Sequence, residues 1–244
     1  MLITTCLLFL LFGFSSRHKP GIPPGTVKIT EQLYFDETEV TNFSWKEFEY
    51  STSIKYGKGS AEHLATLPDT NVWLQGKNKS VKLASSYYQS ATYRDYPVVG
   101  VSYEQAIAFC KWRTSMVKMF YSRAFKSEFN AEYRLPTEAE WEMVAYLESH
   151  KIAEFEKAVP GKCHLKNDSN NLCPVSTKTF GKGHFGMYQL IGNVAEMLDE
   201  KDKSKGGSWQ HFAEESRVGK VQHYNEPNKW LGFRCVCIAT PISK

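Results

Sequence analysis

The sequence predicts an α+β fold, and two features of the chain carry that prediction. The first is a pair of strong helix-start signals, at Ser102 and at Thr137. The second is that the stretches 25–42 and 185–240 are strand-like and punctuated by glycine. Because helices and strands do not alternate regularly along the chain, the pattern disfavours a parallel α/β fold.

The folded part of the chain opens with the strand-like stretches "GTVKIT" and "LYFDETEVTN". Thr41 or Asn42 can then cap a short helix through "FSWKEFEYS", because a side-chain oxygen there accepts a backbone N–H of the first turn. Residues 55–95 are polar, contain Gly, Ser and Tyr, and are weakly periodic. They predict loops with short elements.

The next helix follows a short apolar stretch, Val98–Val101, which predicts a strand. Ser102 and Gln105 have the spacing of a capping box, in which each side chain binds a backbone N–H of the other residue. The apolar periodicity that follows extends the predicted helix to about Phe125.

A second capping box begins the helix in "YRLPTEAEWEMVAY", with Thr137 as the cap and Glu140 three residues later. The side chains of Trp141, Val144, Ala145 and Leu147 are expected to form its apolar face. Residues 150–183 predict loop, with a turn at "KNDSNN". The strand-like stretches "FGMYQLIGNVAEM", "GGSW" and "LGFRCVCIA" follow.

The composition is typical of a soluble globular protein, with 42% hydrophobic and 23% charged residues. The formal net charge of +4 is too small to indicate nucleic-acid binding, and no basic stripe with interleaved aromatic residues occurs.

The first residues indicate export. The apolar run Leu7–Phe14 is too short to span a bilayer and is followed by small residues, as in a secretory signal peptide. A buried N-terminal strand or helix is the alternative. We therefore expect a signal peptide over 1–16, a lead-in linker over 17–25 and a single domain over 26–240. The mature protein would be periplasmic or associated with the outer membrane, and peripheral to the membrane at most.

The described motifs occur together in an order that resembles the formylglycine-generating enzyme family, also called the sulfatase-modifying factor domain. The motifs are "EVTNFSWKEF", "YPVVGVSYEQAIAFCKW", "RLPTEAEWE", "FGMYQLIGNVAEM", "GGSW" and "LGFRC". The resemblance runs from about Gly25 to Ile238 and implies a C-type-lectin-like α+β fold with much irregular structure.

A narrower resemblance rests on "CKWRT" and the insertion of about twenty residues between it and "YRLPTEAEWE". This combination looks like the gliding-motility lipoproteins of Bacteroidetes-type bacteria. Those proteins use the domain as a structural part of the envelope machinery for motility and secretion. The resemblance implies envelope proteins as partners.

The resemblance also identifies where catalytic residues would stand. The family's enzyme converts a sulfatase cysteine to formylglycine with two cysteines downstream of "GGS", which bind copper and the substrate thiol. The corresponding positions here are His211 and Ser216. Because a cuprous ion prefers thiolate ligands, no copper is expected. His211 could instead serve a different metal site with His223 or act in acid/base chemistry, or be a surface histidine near a loop.

The family resemblance implies a disulfide between Cys110 and Cys235, and Cys163 and Cys173 could pair within their loop. The alternative is that all the cysteines are reduced. Cys235 and Cys237 have strand spacing, so their side chains should lie on one face.

The resemblance further implies calcium as a cofactor. Its ligands would be the Gln189 side chain, the backbone carbonyls of Gly192 and Val194, and the Glu196 carboxylate, a set of oxygen donors that suits this ion. The alternative is that Gly192 and Asn193 form a turn while Glu196 pairs with an arginine, for which Arg234 is the candidate.

Three function classes follow. The first is a non-catalytic envelope scaffold that contacts partners through segments 55–95 or 113–132. The second is an enzyme of altered chemistry, which would need a cleft near His211 and Ser216 that also holds Arg217 and His223. The third is a ligand-binding, lectin-like module, which the fold permits but does not specify.

Overall fold

A computed structural model describes residues 22–76, 78–125, 129–148, 163–166 and 173–240. Predictions for the signal peptide, for most of the lead-in and for most of the turn at "KNDSNN" lie outside these ranges. Within the described ranges, no helix has the length and apolar character needed to cross a membrane.

One antiparallel sheet joins the two ends of the domain. Its strands lie in the order β1-β2-β8-β3. Their bounds are β1 Thr26–Lys28, β2 Leu33–Asp36, β3 Ala131–Arg134 and β8 Val236–Ala239. Phe35 pairs with Val236, and Tyr133 pairs with Cys237. The last strand of the chain is therefore central in this sheet, which makes its sequence a core sequence.

A second sheet carries the C-terminal motifs and has the order β6-β5-β4-β7. Its strands are β4 Ala195–Met197, β5 Lys203–Lys205, β6 Gln222–His223 and β7 Leu231–Gly232. The β4 and β7 strands are parallel, whereas the other pairs are antiparallel.

Three of the helices begin where the sequence signals predict, after Thr41, Ser102 and Thr137. Their bounds are α1 Asn42–Tyr56, α2 Ala61–Leu64, α3 Val81–Ser86, α4 Tyr103–Phe125 and α5 Glu138–Glu148, with 3₁₀ turns at Thr70–Leu74 and Ala91–Tyr93. Thr41 caps α1 by accepting the Ser44 N–H at 3.1 Å. Both capping boxes form: Gln105 Oε1 accepts the Ser102 N–H at 2.8 Å, and Glu140 Oε2 accepts the Thr137 N–H at 2.9 Å.

The largest core cluster lies between α1, α4 and the first sheet. The rings of Trp45 and Phe109 stack with their centroids 5.5 Å apart, and Phe233 meets both edge-on. Cys235 and Cys237 both belong to this cluster, whereas Val236 packs into a second cluster with Trp141. The predicted shared face of the two cysteines is confirmed.

Three expectations about local structure are wrong. Leu147 is 43% exposed, because at 100° per residue it lies far around α5 from Trp141. Val98–Val101 is not a strand, since Gly100 has φ +74° and only Pro97 forms a bridge, to Thr41. The "GGSW" stretch also lacks strand structure, because Gly206 and Gly207 both have positive φ.

Candidate functional site

The loop that follows β5 holds the two positions that resemble catalytic cysteines. It starts at Gly206 and Gly207, whose φ angles of +89° and +65° turn the chain sharply. A Cβ atom on Gly207 would lie 1.9 Å from Ser216 Oγ, so the backbone and the serine occupy adjoining space with no gap. Gly207 is required both for its conformation and for this approach.

Ser216 is buried and its hydroxyl is engaged. The residue is 1% exposed, and its Oγ donates to the Phe212 carbonyl at 2.9 Å. Glu215 in turn accepts the Phe212 N–H at 2.8 Å. The loop thus closes on itself around Ser216, and this position is filled rather than open to a substrate.

His211 is held by its neighbours. Its Nδ1 lies 2.7 Å from Ser208 Oγ, and its ring meets the Trp230 ring edge-on with centroids 4.8 Å apart. Burial lowers the pKa of His211, which keeps the imidazole neutral at physiological pH. His223 is exposed and lies 3.9 Å from Asp202.

No metal centre forms around these histidines. Within the described part of the chain, no group of three His, Cys, Asp or Glu side chains is placed to hold a metal ion. The alternative of a shared His211 and His223 site therefore gains no support from the contacts of either ring.

Glu196 forms a fully buried ion pair with Arg234. Neither side chain has exposed surface, and Arg234 Nη2 lies 2.5 Å from Glu196 Oε1. The second carboxylate oxygen accepts the Trp141 indole N–H at 2.8 Å. Arg234 also donates to the backbone carbonyls of Asp36 and Tyr188. This pairing is the alternative that the sequence left open.

The predicted calcium ligands do not fit that ion as arranged. Both oxygens of Glu196 are engaged by N–H donors, and the positive charge of Arg234 lies against the place a cation would need. Gln189 keeps a buried Oε1 without a partner among the described residues, while its Nε2 donates to Ser176 at 2.9 Å. With Glu196 engaged, the predicted set offers at most the Gln189 amide oxygen and the carbonyls of Gly192 and Val194, all neutral, for a hard cation that takes six to eight oxygen ligands. Calcium binding stays a prediction.

Asn193 occupies the turn that the sequence placed beside Gly192, and it links distant parts of the chain. It has φ +60° and no exposed surface. Its Oδ1 accepts the Val175 N–H at 2.8 Å, and its Nδ2 donates to Glu39 Oε1 at 2.9 Å. Sequence reasoning missed Glu39, since nothing local marks a glutamate in a strand-like stretch as buried.

The cysteines are arranged as the disulfide prediction requires without a bond between them. Cys110 on α4 and Cys235 before β8 are both buried, and their Sγ atoms lie 3.5 Å apart. The pairing stays a prediction. Cys163 and Cys173 are half-buried, and the Cys173 carbonyl lies 3.0 Å from His164 Nε2. Burial raises the pKa of Cys237 to about 12, so this thiol is unreactive.

A cavity lies elsewhere in the molecule. Its volume is about 520 Å³, and it lies between α1, α4 and the loop after β2. Neither His211 nor Ser216 lines it, nor do Arg217 and His223. The sequence had not indicated a site at this place.

Comparison with known proteins identifies the family. A family model described as the sulfatase-modifying factor enzyme 1-like domain matches residues 10–239. The chain belongs to this family. The match covers nearly all of the predicted domain 26–240.

Relatives of this sulfatase-modifying factor domain include a formylglycine-generating enzyme and a protein named as inactive. The chain is 25% identical over 208 residues to the formylglycine-generating enzyme of Streptomyces coelicolor, covering 73% of this chain and 60% of that protein. It is 28% identical over 171 residues to the inactive C-alpha-formylglycine-generating enzyme 2 of Bos taurus, covering 58% and 50%. The chain thus spans only about half to three fifths of the length of these relatives.

The fold is the α+β fold of the family. The structure of PvdO from Pseudomonas aeruginosa superimposes with a TM-score of 0.57 at 17% identity, over 91% of this chain and 86% of that one. At this identity the likeness speaks to the fold alone.

Proposed function

We propose that this sulfatase-modifying factor domain is a non-catalytic interaction module of the cell envelope. It would be exported to the periplasm or the outer membrane and would act through contacts with envelope proteins, as in a gliding-motility or secretion assembly. The single observation that carries the proposal is the state of the two positions where the family's enzyme has thiols. At one position the Ser216 hydroxyl donates to the Phe212 backbone carbonyl. At the other, His211 is hydrogen-bonded to the Ser208 hydroxyl.

The chemistry of these two positions supports the absence of formylglycine generation. Neither His211 nor Ser216 can supply the soft thiolate that a cuprous ion prefers. Ser216 is also enclosed, so a substrate thiol could not reach it without opening the loop. The bovine relative is named as an inactive C-alpha-formylglycine-generating enzyme.

The distribution of exposed apolar side chains supports a protein contact surface on one part of the chain. Large exposed hydrophobic residues in the described ranges concentrate between 43 and 81, which holds eight of thirteen. They are Phe43, Tyr50, Ile54, Tyr56, Leu64, Leu67, Leu74 and Val81. Five of the eight, from Tyr56 to Val81, lie in segment 55–95, one of the two surfaces expected from the sequence. The other, segment 113–132, contributes none among its described side chains. Where such residues form one contiguous patch, they mark a surface that binds a partner.

The segment is well anchored, which suits a binding surface. Trp45 on α1 donates its indole N–H to the Thr66 carbonyl at 2.8 Å. Lys229 reaches from the C-terminal half to the carbonyls of Gln75 and Asn78 at 2.8 and 2.9 Å. A preformed surface loses less conformational entropy on binding than a mobile one.

Site-specific photocrosslinking in cells tests the interaction. A crosslinking amino acid at Val81 or Leu64, which are 76% and 55% exposed, should trap recurrent envelope proteins. The same amino acid at the exposed Lys220 serves as the matched control. Equal labelling at all three positions, or no recurrent partner, would contradict the proposed surface.

An activity assay tests the other half of the proposal. Purified protein supplied with copper and a sulfatase-type cysteine peptide should leave the cysteine unchanged by mass spectrometry. Authentic formylglycine in the peptide would refute the non-catalytic assignment, provided that the His211→Ala variant loses it.

A ligand-binding module is the second candidate, and the cavity beside α4 is the observation that favours it. This role is compatible with protein contacts: α1 carries both exposed apolar residues and part of the cavity lining, whereas none of the exposed residues from Leu64 to Val81 lines the cavity.

A further inference from the structure

Positive charge is concentrated on α4 and the residues that follow it. Residues 105–127 contain five basic residues and no acidic residue, which gives this stretch a formal charge of +5. The formal net charge of the whole chain is +4, so the rest of the chain is slightly acidic. Four of the five basic residues belong to α4, and the last, Lys126, lies outside the described residues.

Helical spacing places two of these charges in line on the outer face of α4. Lys111 and Lys118 are two turns apart, which is about 10 Å along the helix axis. Ser115 and Ser122 lie on the same side, and all four residues are exposed. Arg123 is also exposed, about a third of a turn around the helix from that line. The exposed face is therefore polar and basic along its length.

The charges on this face have no acidic partner within the described part of the chain. Neither Lys111, Lys118 nor Arg123 forms an ion pair with any described residue. By contrast, the exposed Lys178 lies 3.1 Å from the Glu37 carboxylate. The charges on the outer face of α4 are therefore available to a group outside the described chain.

The opposite side of α4 holds the helix in place. Val117 is buried in the largest core cluster. Arg113 pairs with Asp36 at 2.7 Å, and the Thr114 hydroxyl accepts the Tyr133 N–H at 2.8 Å. The outer face is thus carried on a helix that cannot reorient, and a preorganised surface loses less conformational entropy when it binds.

The chemistry of the outer face favours an acidic protein over a membrane. A helix that lies in a membrane surface buries an apolar face in it. Among the described side chains of α4, no large hydrophobic one is exposed. A face with free cations and hydroxyl groups instead complements a polar surface that carries carboxylates.

We propose that the outer face of α4 docks an acidic helical segment of a partner protein, with carboxylates two turns apart against Lys111 and Lys118. Arg123 adds a third cation at the edge of the contact. Ammonium groups donate charge-assisted hydrogen bonds to carboxylates, which makes such a contact specific for charge. The proposal rests on the function of an interaction module proposed above and adds the chemistry of a partner. The face overlaps segment 113–132 and is separate from the exposed apolar residues at 43–81.

Binding of defined peptides to the purified chain tests the proposal. The probe is a labelled, alanine-based helical peptide with glutamates along one face, one and two turns apart. Matched peptides carry glutamine or lysine in place of the glutamates. Fluorescence anisotropy should show saturable binding of the acidic peptide alone. Its Kd should rise about fivefold or more between about 0.01 and 0.1 M salt, because the Debye length falls from about 30 to about 10 Å.

Charge reversal locates the binding. Lys111→Glu combined with Lys118→Glu should raise the Kd about tenfold or more, because two charged hydrogen bonds become repulsions. Lys79→Glu combined with Lys82→Glu is the matched control, since it changes the net charge equally at two exposed positions elsewhere. Its Kd should stay within about threefold of the wild-type value. All four positions are exposed, so both double variants should keep the urea midpoint of the wild type.

Three results would overturn the proposal. The first is no saturable binding of the acidic peptide at millimolar concentration, or equal binding of the glutamine peptide. The second is an equal loss of binding in both double variants, which would assign the binding to net charge alone. The third is that the two α4 lysines are needed to bind vesicles of phosphatidylcholine with one fifth phosphatidylglycerol, but not to bind the peptide. That result would assign the face to a membrane surface.

The peptide assay and the photocrosslinking experiment can fail independently. The peptide assay uses the purified chain and tests the outer face of α4. Photocrosslinking in cells tests the apolar surface at Val81 and Leu64. Loss of peptide binding alone would remove the acidic partner and leave the interaction module in place.

Discussion

Removing the guanidinium of Arg234 should destabilise the domain strongly. In Arg234→Met, the fully buried Glu196 keeps only the Trp141 N–H as a donor. The carbonyls of Asp36 and Tyr188 also lose a donor. Breaking a buried ion pair by removing one partner costs about 3–5 kcal/mol. That is a large share of the roughly 5–15 kcal/mol that stabilises a domain.

Urea denaturation followed by tryptophan fluorescence measures this loss. With a slope of about 2–3 kcal/mol per molar urea, the midpoint should fall by about 1–2.5 M. Arg123→Met makes the same chemical change at an exposed position and should stay within about 0.5 kcal/mol of the wild type. The double variant Glu196→Leu with Arg234→Met should lose less than Arg234→Met alone, since it leaves no buried charge unpaired. Equal midpoints for the two arginine variants would refute the reasoning.

The same assay decides the calcium prediction. Because the Glu196 carboxylate is paired with Arg234, we expect the wild type to have the same urea midpoint in calcium and in EGTA. A ligand that binds only the folded state raises the free energy of unfolding by RT ln(1 + [L]/Kd). If calcium raises the midpoint of the wild type but not that of Gln189→Ala, the result would support the predicted calcium ligands.

Three further outcomes are expected. Oxidation should join Cys110 to Cys235 and add about 3–5 kcal/mol of stability, for a loop of 125 residues; thiol counting with urea denaturation, with and without reductant, checks it. Gly207→Ala should lower the thermal midpoint far more than Gly219→Ala, because only the first has a positive φ and a Cβ clash. Similar losses for both would contradict the close approach. Burial raises the pKa of folded Glu39 to about 8, and the unfolded carboxyl titrates near about 4.3. The unfolded state therefore releases its proton first, and stability should fall as pH rises between those values. Glu39→Gln should flatten this dependence of stability on pH. An unchanged pH dependence in that variant would contradict its assignment to Glu39.

The helix starts could be predicted because their determinants are local. The capping box at Thr137 needs only Glu140, three residues away, and that at Ser102 needs only Gln105. Spacing of this kind is visible in the sequence without knowledge of the fold. The error at Leu147 arose from extending the apolar face to a position that helical geometry turns outward.

The short strands and the cavity could not be predicted, because their determinants are distant. Strands of two residues, such as β6 and β7, exist only through their partners in the second sheet. Glu39 and Asn193 meet across 154 residues of sequence. No local pattern distinguishes Glu39 from an exposed glutamate, so neither its burial nor its place on the cavity lining could be inferred.

The buried ion pair gives three of the family motifs a structural role. Trp141 comes from "RLPTEAEWE", Glu196 from "GNVAEM" and Arg234 from "GFRC", and the three side chains form one buried hydrogen-bonded cluster. Each motif is thus required for stability, independently of what stands at His211 and Ser216. A match to these motifs specifies the fold. His211 and Ser216 contact Ser208 and Phe212 and do not belong to this hydrogen-bonded cluster.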